Sequence, residues 1–203
     1  MIRATFRVRP TRALCFDLEN RPSAYWYGDA TTAEITAFGW KWSDERPVRT
    51  LMLQADGRFL DSDGDTLDGE AAYLAFRDEL CRADLVYGHN IRRHDLPLFQ
   101  AGLLRRELQP LPTLLTSDTL RDYPRRKDMS ASLESLAAMY GLPGKKKGMS
   151  HPDWERANRL APDGIEAARE RVVSDVRLQE RLRAKLVQVG HLEPPRRWVG
   201  SRL

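Results

Sequence analysis

Apolar and polar positions alternate most clearly at residues 13–19, where Leu14, Phe16 and Leu18 interleave with Cys15, Asp17 and Glu19. A period of two belongs to a β-strand, whose successive side chains point to opposite faces, so the two carboxylates share one face near the strand's end. Residues 32–42 repeat the period, with Thr36, Phe38, Trp40 and Trp42 set against Ile35, Ala37 and Gly39. A third strand is expected at 48–53, after a turn over 43–47. Three strands joined by short polar connections read as an antiparallel meander. Residues 56–68 are rich in Gly and Asp but lack the spacing of an EF-hand loop, and read as a solvated turn region.

The period then lengthens. A helix expected over 70–82, with Leu74, Phe76 and Leu80 buried, leads into a short apolar strand at 85–87. The stretch that follows is polar where a buried segment is normally apolar. Gly88, His89, Asn90, Ile91, Arg92, Arg93, His94 and Asp95 run directly into Leu96, Leu98, Phe99, Leu103 and Leu104, spaced for an amphipathic helix with Pro97 in its first turn. Asp95, at the junction, has two readings: an N-cap, or a carboxylate held above the sheet edge, where ligands of α/β sheets bind.

A further strand at 114–117 ends on Asp118, and Ser130 reads as the cap of a helix holding Leu133, Leu136, Ala137 and Tyr140 and closed by Gly141. Residues 144–152 form a basic loop without apolar periodicity. The last long helix is expected from an Asp163 cap to Val189, with Gly190 as terminator. Its apolar stripe is Ile165, Ala168, Val172, Val176, Leu182, Leu186 and Val189, and Asp175 falls inside it, where a carboxylate without a partner is expensive to desolvate.

The order β-β-β-α-β-α-β-α-α describes an α/β chain: a mixed sheet, built from an antiparallel meander of three strands plus two further strands, flanked by helices. Residues 1–190 are expected to form one domain, and the Pro- and Arg-rich residues 191–203 a flexible basic tail. Residues 1–12 read as a frayed arm or a short edge strand without function.

Composition narrows the chemistry only slightly. The 203 residues carry a formal net charge of +4 built from many charges of both signs, which permits a polyanionic partner without requiring one. No run has the length of a transmembrane helix or the character of a signal peptide, so a cytoplasmic setting and no membrane partner are expected. Cys15 and Cys81, the only cysteines, lack a zinc-type spacing and read as reduced structural thiols.

The carboxylates say more. Asp17 and Glu19 repel each other in a partly buried place and raise each other's pKa unless a cation or donors lie between them, and Mg²⁺ or Mn²⁺ is the hard ion that carboxylate oxygens suit. The plainer alternative is an exposed strand end before a turn at Asn20, Arg21 and Pro22.

In order along the chain, Phe16-Asp17-Leu18-Glu19, then Gly88-His89-Asn90-Ile91 with Asp95, then Ser174-Asp175-Val176 resemble the three motifs of the DEDD superfamily of 3'-5' exonucleases, of ribonuclease H-like fold. The likeness is closest to stand-alone phage and bacterial members and to proofreading domains of family A phage DNA polymerases. Members often carry a His-any-Asp-Trp segment between the second and third motifs, matched here by His151-Pro152-Asp153-Trp154. The resemblance spans roughly residues 14–186. It implies that Asp17, Glu19, Asp95 and Asp175 hold two divalent cations, Mg²⁺ or Mn²⁺. Asp17 would bridge both ions, Glu19 and Asp175 would complete one site, and Asp95 would act at the other through water. Two such ions, about 3.5–4 Å apart, activate the attacking water and stabilise the leaving 3' oxygen.

Around the acids, Asn90 and His89 are the expected contacts of the terminal nucleotide and Asp118 a support behind the site. The plain readings are a turn residue for Asn90 and a helix cap for Asp118. Lys145, Lys146 and Lys147 read either as a solvated surface or as phosphate contacts. The third motif of the family usually carries a Tyr or His shortly before its Asp to orient the attacking water; this chain has Glu170 and Arg171 there. Arg171 stays protonated and cannot act as a base, although it can pair with a phosphate or an acid. His151 is the best replacement, its plain alternative being a surface turn with Pro152.

The expected activity is therefore metal-dependent 3'-5' exonucleolytic hydrolysis at the ends of single-stranded DNA, in bacteria or phage-infected cells, with replication or repair proteins as possible associates. Two alternatives remain: a ribonuclease of the same superfamily, and a weak or inactive nucleic-acid binder that holds phosphates through Arg92, Arg93 and the three lysines.

Overall fold

The computed structural model describes residues 11–22, 33–124 and 130–200. The N-terminal arm up to residue 10 and Thr32 lie outside them. Strand β1 (Ala13–Pro22) pairs antiparallel with β2 (Ala33–Trp42), which pairs antiparallel with β3 (Arg49–Leu53). This is the meander expected from the period-two pattern. Helix α1 (Gly69–Arg82) leads to β6 (Leu85–Gly88), and α2 (Asp95–Leu104) to β7 (Leu114–Asp118). Both β6 and β7 run parallel to β1, β6 beside β1 and β7 beside β6. Helices α3 (Leu133–Met139), α4 (His151–Asn158) and α5 (Pro162–Gln188) follow.

Three short strands enlarge the sheet beyond the five expected. The segment at 56–68 is a hairpin, β4 (Phe59–Asp61) and β5 (Thr66–Leu67), added next to β3. At the other edge β8 (Arg196–Trp198) pairs antiparallel with β7, within the stretch whose composition suggested a loose tail. The sheet order is β5-β4-β3-β2-β1-β6-β7-β8. These strands are too short to show a period of their own and exist because a neighbouring edge offers backbone partners. The mixed sheet with helices packed against it is compatible with a ribonuclease H-like fold.

The two faces of β1 divide the molecule. Phe16 and Phe38 pack with Tyr73 and Phe76 of α1 and Phe99 of α2 in an aromatic cluster of edge-on and tilted pairs, with Tyr73 stacked on Phe99, ring centroids 5.0–5.9 Å apart. Burial of each such ring stabilises the fold by about 1.5–3 kcal/mol. On the opposite face α5 lies across β1, β2 and β3. It approaches closely because Gly39, which pairs with Asp17 in the β1–β2 register, has no side chain: a Cβ there would lie 2.7 Å from Val172 Cγ2.

Several local expectations change. Asn20, Arg21 and Pro22 continue β1 past an irregularity at Glu19 and Asn20 instead of turning. Tyr73 is fully buried in α1 where Leu74 was expected, and Leu74 is only half-buried. The N-cap of α2 is His94, without a side-chain bond, so Asp95 is the first helical residue and not the cap. Ser132, not Ser130, caps α3 by accepting from the Ser135 amide. Ala161 precedes α5 and Pro162 opens it, in place of an Asp163 cap. Val189 lies exposed past the helix end. Residues 151–158, expected to begin as loop, form α4 through a capping box between Ser150 and Asp153. Among the described residues no helix is long and apolar enough to cross a membrane.

Candidate metal centre

Asp17 and Glu19 leave β1 on the face that α5 covers, and Asp175 comes down from the buried stripe of α5 to meet them. Ligand oxygens of these three residues all lie within 4.8 Å of one another. Asp95 reaches the same strand from the other direction. Register between β1 and β6 ends at Cys15 and Tyr87, so among the described residues the backbone of β1 beyond that point has no strand neighbour on this side. Asp95 Oδ1 fills the gap by accepting from the Leu18 amide at 3.2 Å. Both Asp95 and Asp175 are buried.

The electrostatics follow from this crowding. Burial, and then the charges of Asp95, Asp175 and Glu19, push Asp17 well above the usual carboxylate range. Burial also raises Glu19 and Asp175, opposed at Glu19 chiefly by Arg171 and at Asp175 chiefly by Lys146. Carboxylates gathered in a desolvated place strongly favour a cation among them, and their hard oxygen donors are the set that Mg²⁺ or Mn²⁺ takes.

Two fixed cations already touch the cluster. Arg171 Nε donates to Glu19 Oε1 at 2.5 Å, and Lys146 Nζ lies 2.8 Å from Asp175 Oδ2. Arg171 is seated by three contacts: its guanidinium lies 5.0 Å from the Trp154 ring, and Nη1 donates to Lys147 O at 3.1 Å in addition to the Glu19 bond. The segment His151-Pro152-Asp153-Trp154 thereby acquires a physical account. Pro152 and the Asp153 capping box start α4, and Trp154, one residue on, faces Arg171.

The loop after β6 is held from β7. Asp118, fully buried, accepts from the amides of Asn90 (2.8 Å), Arg92 (3.0 Å), Leu120 (3.0 Å) and Arg121 (3.2 Å). Its support is thus exerted on the backbone that delivers Asp95. Asn90 adopts φ of +71°, a left-handed conformation that Asn tolerates, and its Oδ1 accepts from Arg121 Nε and Nη2 at 3.2 and 3.0 Å. His89 Nδ1 pairs with Thr119 Oγ1 at 2.9 Å. Both residues flank the site and are tied into its scaffold.

The basic loop divides. Lys145 is exposed, Lys146 is half-buried on Asp175, and Lys147 pairs with Glu170 at 2.6 Å. His151 is exposed at the first residue of α4 and is bonded to none of the four acids.

Sequence reasoning missed two residues. Gln179 donates its amide to Asp17 Oδ1 at 2.7 Å. Its signal was a polar residue one turn past Asp175 on a buried helical stripe. Asp122 accepts from the Asp118 amide at 2.8 Å and pairs with Arg92, and no periodicity marked it.

No protein-family model and no curated protein matches this chain. Among solved structures it is similar to the family B DNA polymerase from the hyperthermophilic archaeon Pyrobaculum calidifontis, with a TM-score of 0.63 and 17% identity over 88% of this chain. The chain spans 25% of that polymerase's length, and at this identity the likeness is one of fold.

Proposed function

We propose that this chain is a divalent-metal-dependent 3'-5' exonuclease that hydrolyses phosphodiester bonds at the ends of single-stranded DNA. The observation that carries the reading is the convergence of Asp17, Glu19 and Asp175 within 4.8 Å, with Asp95 bound to the neighbouring Leu18 amide. Four clustered carboxylates repel a polyanion unless a metal is bound, so a site of this composition facing nucleic acid argues for metal-assisted chemistry. A bound divalent ion supplies an activated water and stabilises the leaving 3' oxygen. The protein's own part is to hold the acids rigidly: Gln179 orients Asp17, Arg171 orients Glu19, and Asp118 fixes the loop that delivers Asp95. A DNA polymerase of like fold over 88% of the chain supports nucleic acid as the substrate class.

A second reading, a nucleic-acid binder with weak or no hydrolysis, draws on the Arg171–Glu19 pair where the resemblance expects a water-orienting Tyr or His. Gel assays with 3'- and 5'-labelled DNA and RNA oligonucleotides, in Mn²⁺, Mg²⁺ or chelator, separate the readings. Metal-dependent shortening of DNA from the 3' end, abolished in Asp17→Ala with the fold retained by circular dichroism, is the expected result. Retardation without shortening in either metal points to the binder, and preferential loss of RNA to the ribonuclease.

A further inference from the structure

We infer that Asp122 and Arg92 are positioning residues of the acid site: their ion pair clamps the loop that delivers Asp95 to the turn after β7, and the C-terminal segment secures that turn from behind. The inference rests on the exonuclease reading above and takes Arg92 out of the candidate phosphate contacts.

Burial is the first support. Asp122 is 1% exposed and lies beside the fully buried Asp118. Two carboxylates so placed repel each other and are costly to desolvate unless a cation and donors reach them. Arg92 is that cation. Its Nη2 donates to Asp122 Oδ1 and its Nε lies 3.9 Å from Asp118 Oδ2, with 13% of the side chain exposed. A guanidinium committed in this way meets a phosphate only by leaving the two acids.

The clamp is placed to act on Asp95. The loop is a run of tight turns, in which the Arg93 and His94 amides both donate to Asn90 O, at 3.2 and 3.0 Å, and the Leu96 amide donates to Ile91 O at 2.9 Å. Arg92 lies inside this run and is held at both ends, by its amide on Asp118 Oδ2 at 3.0 Å and by its guanidinium on Asp122. A shift of Arg92 therefore shifts Asp95, whose Oδ1 accepts from the Leu18 amide. Misplacement by about 1 Å can cost on the order of 10²-fold in rate.

Asp122 is itself fixed from two directions. Its Oδ2 accepts from the Asp118 amide and its own amide donates to Asp118 O, both at 2.8 Å. From the C-terminal segment, the Glu193 amide donates to Asp122 O at 3.0 Å and Arg196 Nε lies 3.9 Å from Asp122 Oδ1. The segment continues as β8, where Arg196 O accepts from Thr116 Oγ1 at 2.9 Å. Beyond it, a Cβ on Gly200 would lie 3.1 Å from Gln100 Nε2 on α2, the helix that Asp95 opens. Residues 193–200 thus bear on the loop before Asp95 and on the helix after it.

The test compares the full-length wild type with Asp122→Asn, which keeps an acceptor for the Asp118 amide and removes the charge that holds Arg92, and with Arg92→Gln and Arg92→Lys. Three quantities are read: kcat and KM in Mn²⁺ on single-stranded DNA, the salt dependence of DNA binding in chelator, and hydrogen exchange at the Leu18 amide relative to the amides of β3. In Asp122→Asn and Arg92→Gln, kcat is expected to fall at least about tenfold with KM unchanged, and Leu18 exchange to quicken about tenfold beyond any change in β3. The slope of log affinity against log salt stays at its wild-type value, and Arg92→Lys, which keeps a cation toward Asp122, recovers most of kcat. Should Asp122→Asn fail to fold, the Arg92 variants carry the test. Wild-type kcat or wild-type Leu18 exchange in the variants overturns the inference and leaves the exonuclease reading standing. A salt slope reduced by about one in Arg92→Gln also overturns it, because Arg92 is then a phosphate contact. If wild type cleaves no DNA, the exonuclease reading fails and Leu18 exchange alone decides whether the clamp holds Asp95: quickened exchange sustains it, and unchanged exchange overturns it.

Discussion

Gln179 and Asp17 lie 162 residues apart in sequence and are joined by a 2.7 Å hydrogen bond, the Gln179 side-chain amide donating to Asp17 Oδ1. The contact is possible because β6 ends in a glycine: a Cβ on Gly88 would lie 2.9 Å from Gln179 Oε1 and 2.8 Å from Phe16 O. Gln179 therefore positions Asp17 without belonging to the acid set. On the proposed function, Gln179→Leu lowers kcat about tenfold with KM unchanged, equivalent to ~1.4 kcal/mol of transition-state stabilisation. Single-turnover and steady-state rates on one oligonucleotide check this, and an equal change in KM would show that Gln179 serves substrate binding instead.

Asp118 collects four backbone amides from the loops after β6 and β7. Asp118→Ala leaves these donors without their acceptor in a buried place, and is expected to cost on the order of 3 kcal/mol of stability, read from urea denaturation. Asp118→Asn, which keeps an acceptor oxygen, falls between the two. A variant as stable as wild type would mean that water replaces the carboxylate.

Burial pushes the His89 imidazole down to about 4, against the opposing pull of Asp118. The folded state thus disfavours the proton that the unfolded chain binds near pH 6.5. The stability supplied by neutral His89 is full above pH 6.5 and is lost as pH falls from there toward 4. Comparison of wild type with His89→Gln isolates this group from the carboxylates titrating nearby: the stability difference between them should shrink across that window and stay flat from pH 7 to 9. A difference independent of pH would mean that His89 is not desolvated.

The three lysines are expected to differ in their effect on nucleic-acid binding. Lys145 is exposed and makes no ion pair among the described residues, whereas Lys147 is committed to Glu170. Lys145→Gln should weaken binding and reduce the slope of log affinity against log salt by about one, and Lys147→Gln should leave the slope unchanged. Fluorescence anisotropy over a salt series in chelator measures both.

Much of this site was legible in the chain alone, because burial imposes its period locally. Alternation along β1 put Asp17 and Glu19 on one face, and the apolar stripe of α5 put Asp175 on its buried side. The polar break after Tyr87 marked the approach to Asp95. Each judgement needed only neighbours within a few residues. Tertiary structure decided what those side chains meet. Lys146 on Asp175, Arg171 on Glu19, Gln179 on Asp17 and the amides gathered by Asp118 join segments brought together by the path of the sheet, and no local period encodes them. The same holds for β4, β5 and β8, and for the choice of Ser132 over Ser130 as a cap. A short strand or a cap is selected by the backbone groups left unpaired beside it, and those are defined only once the rest of the chain has folded around them.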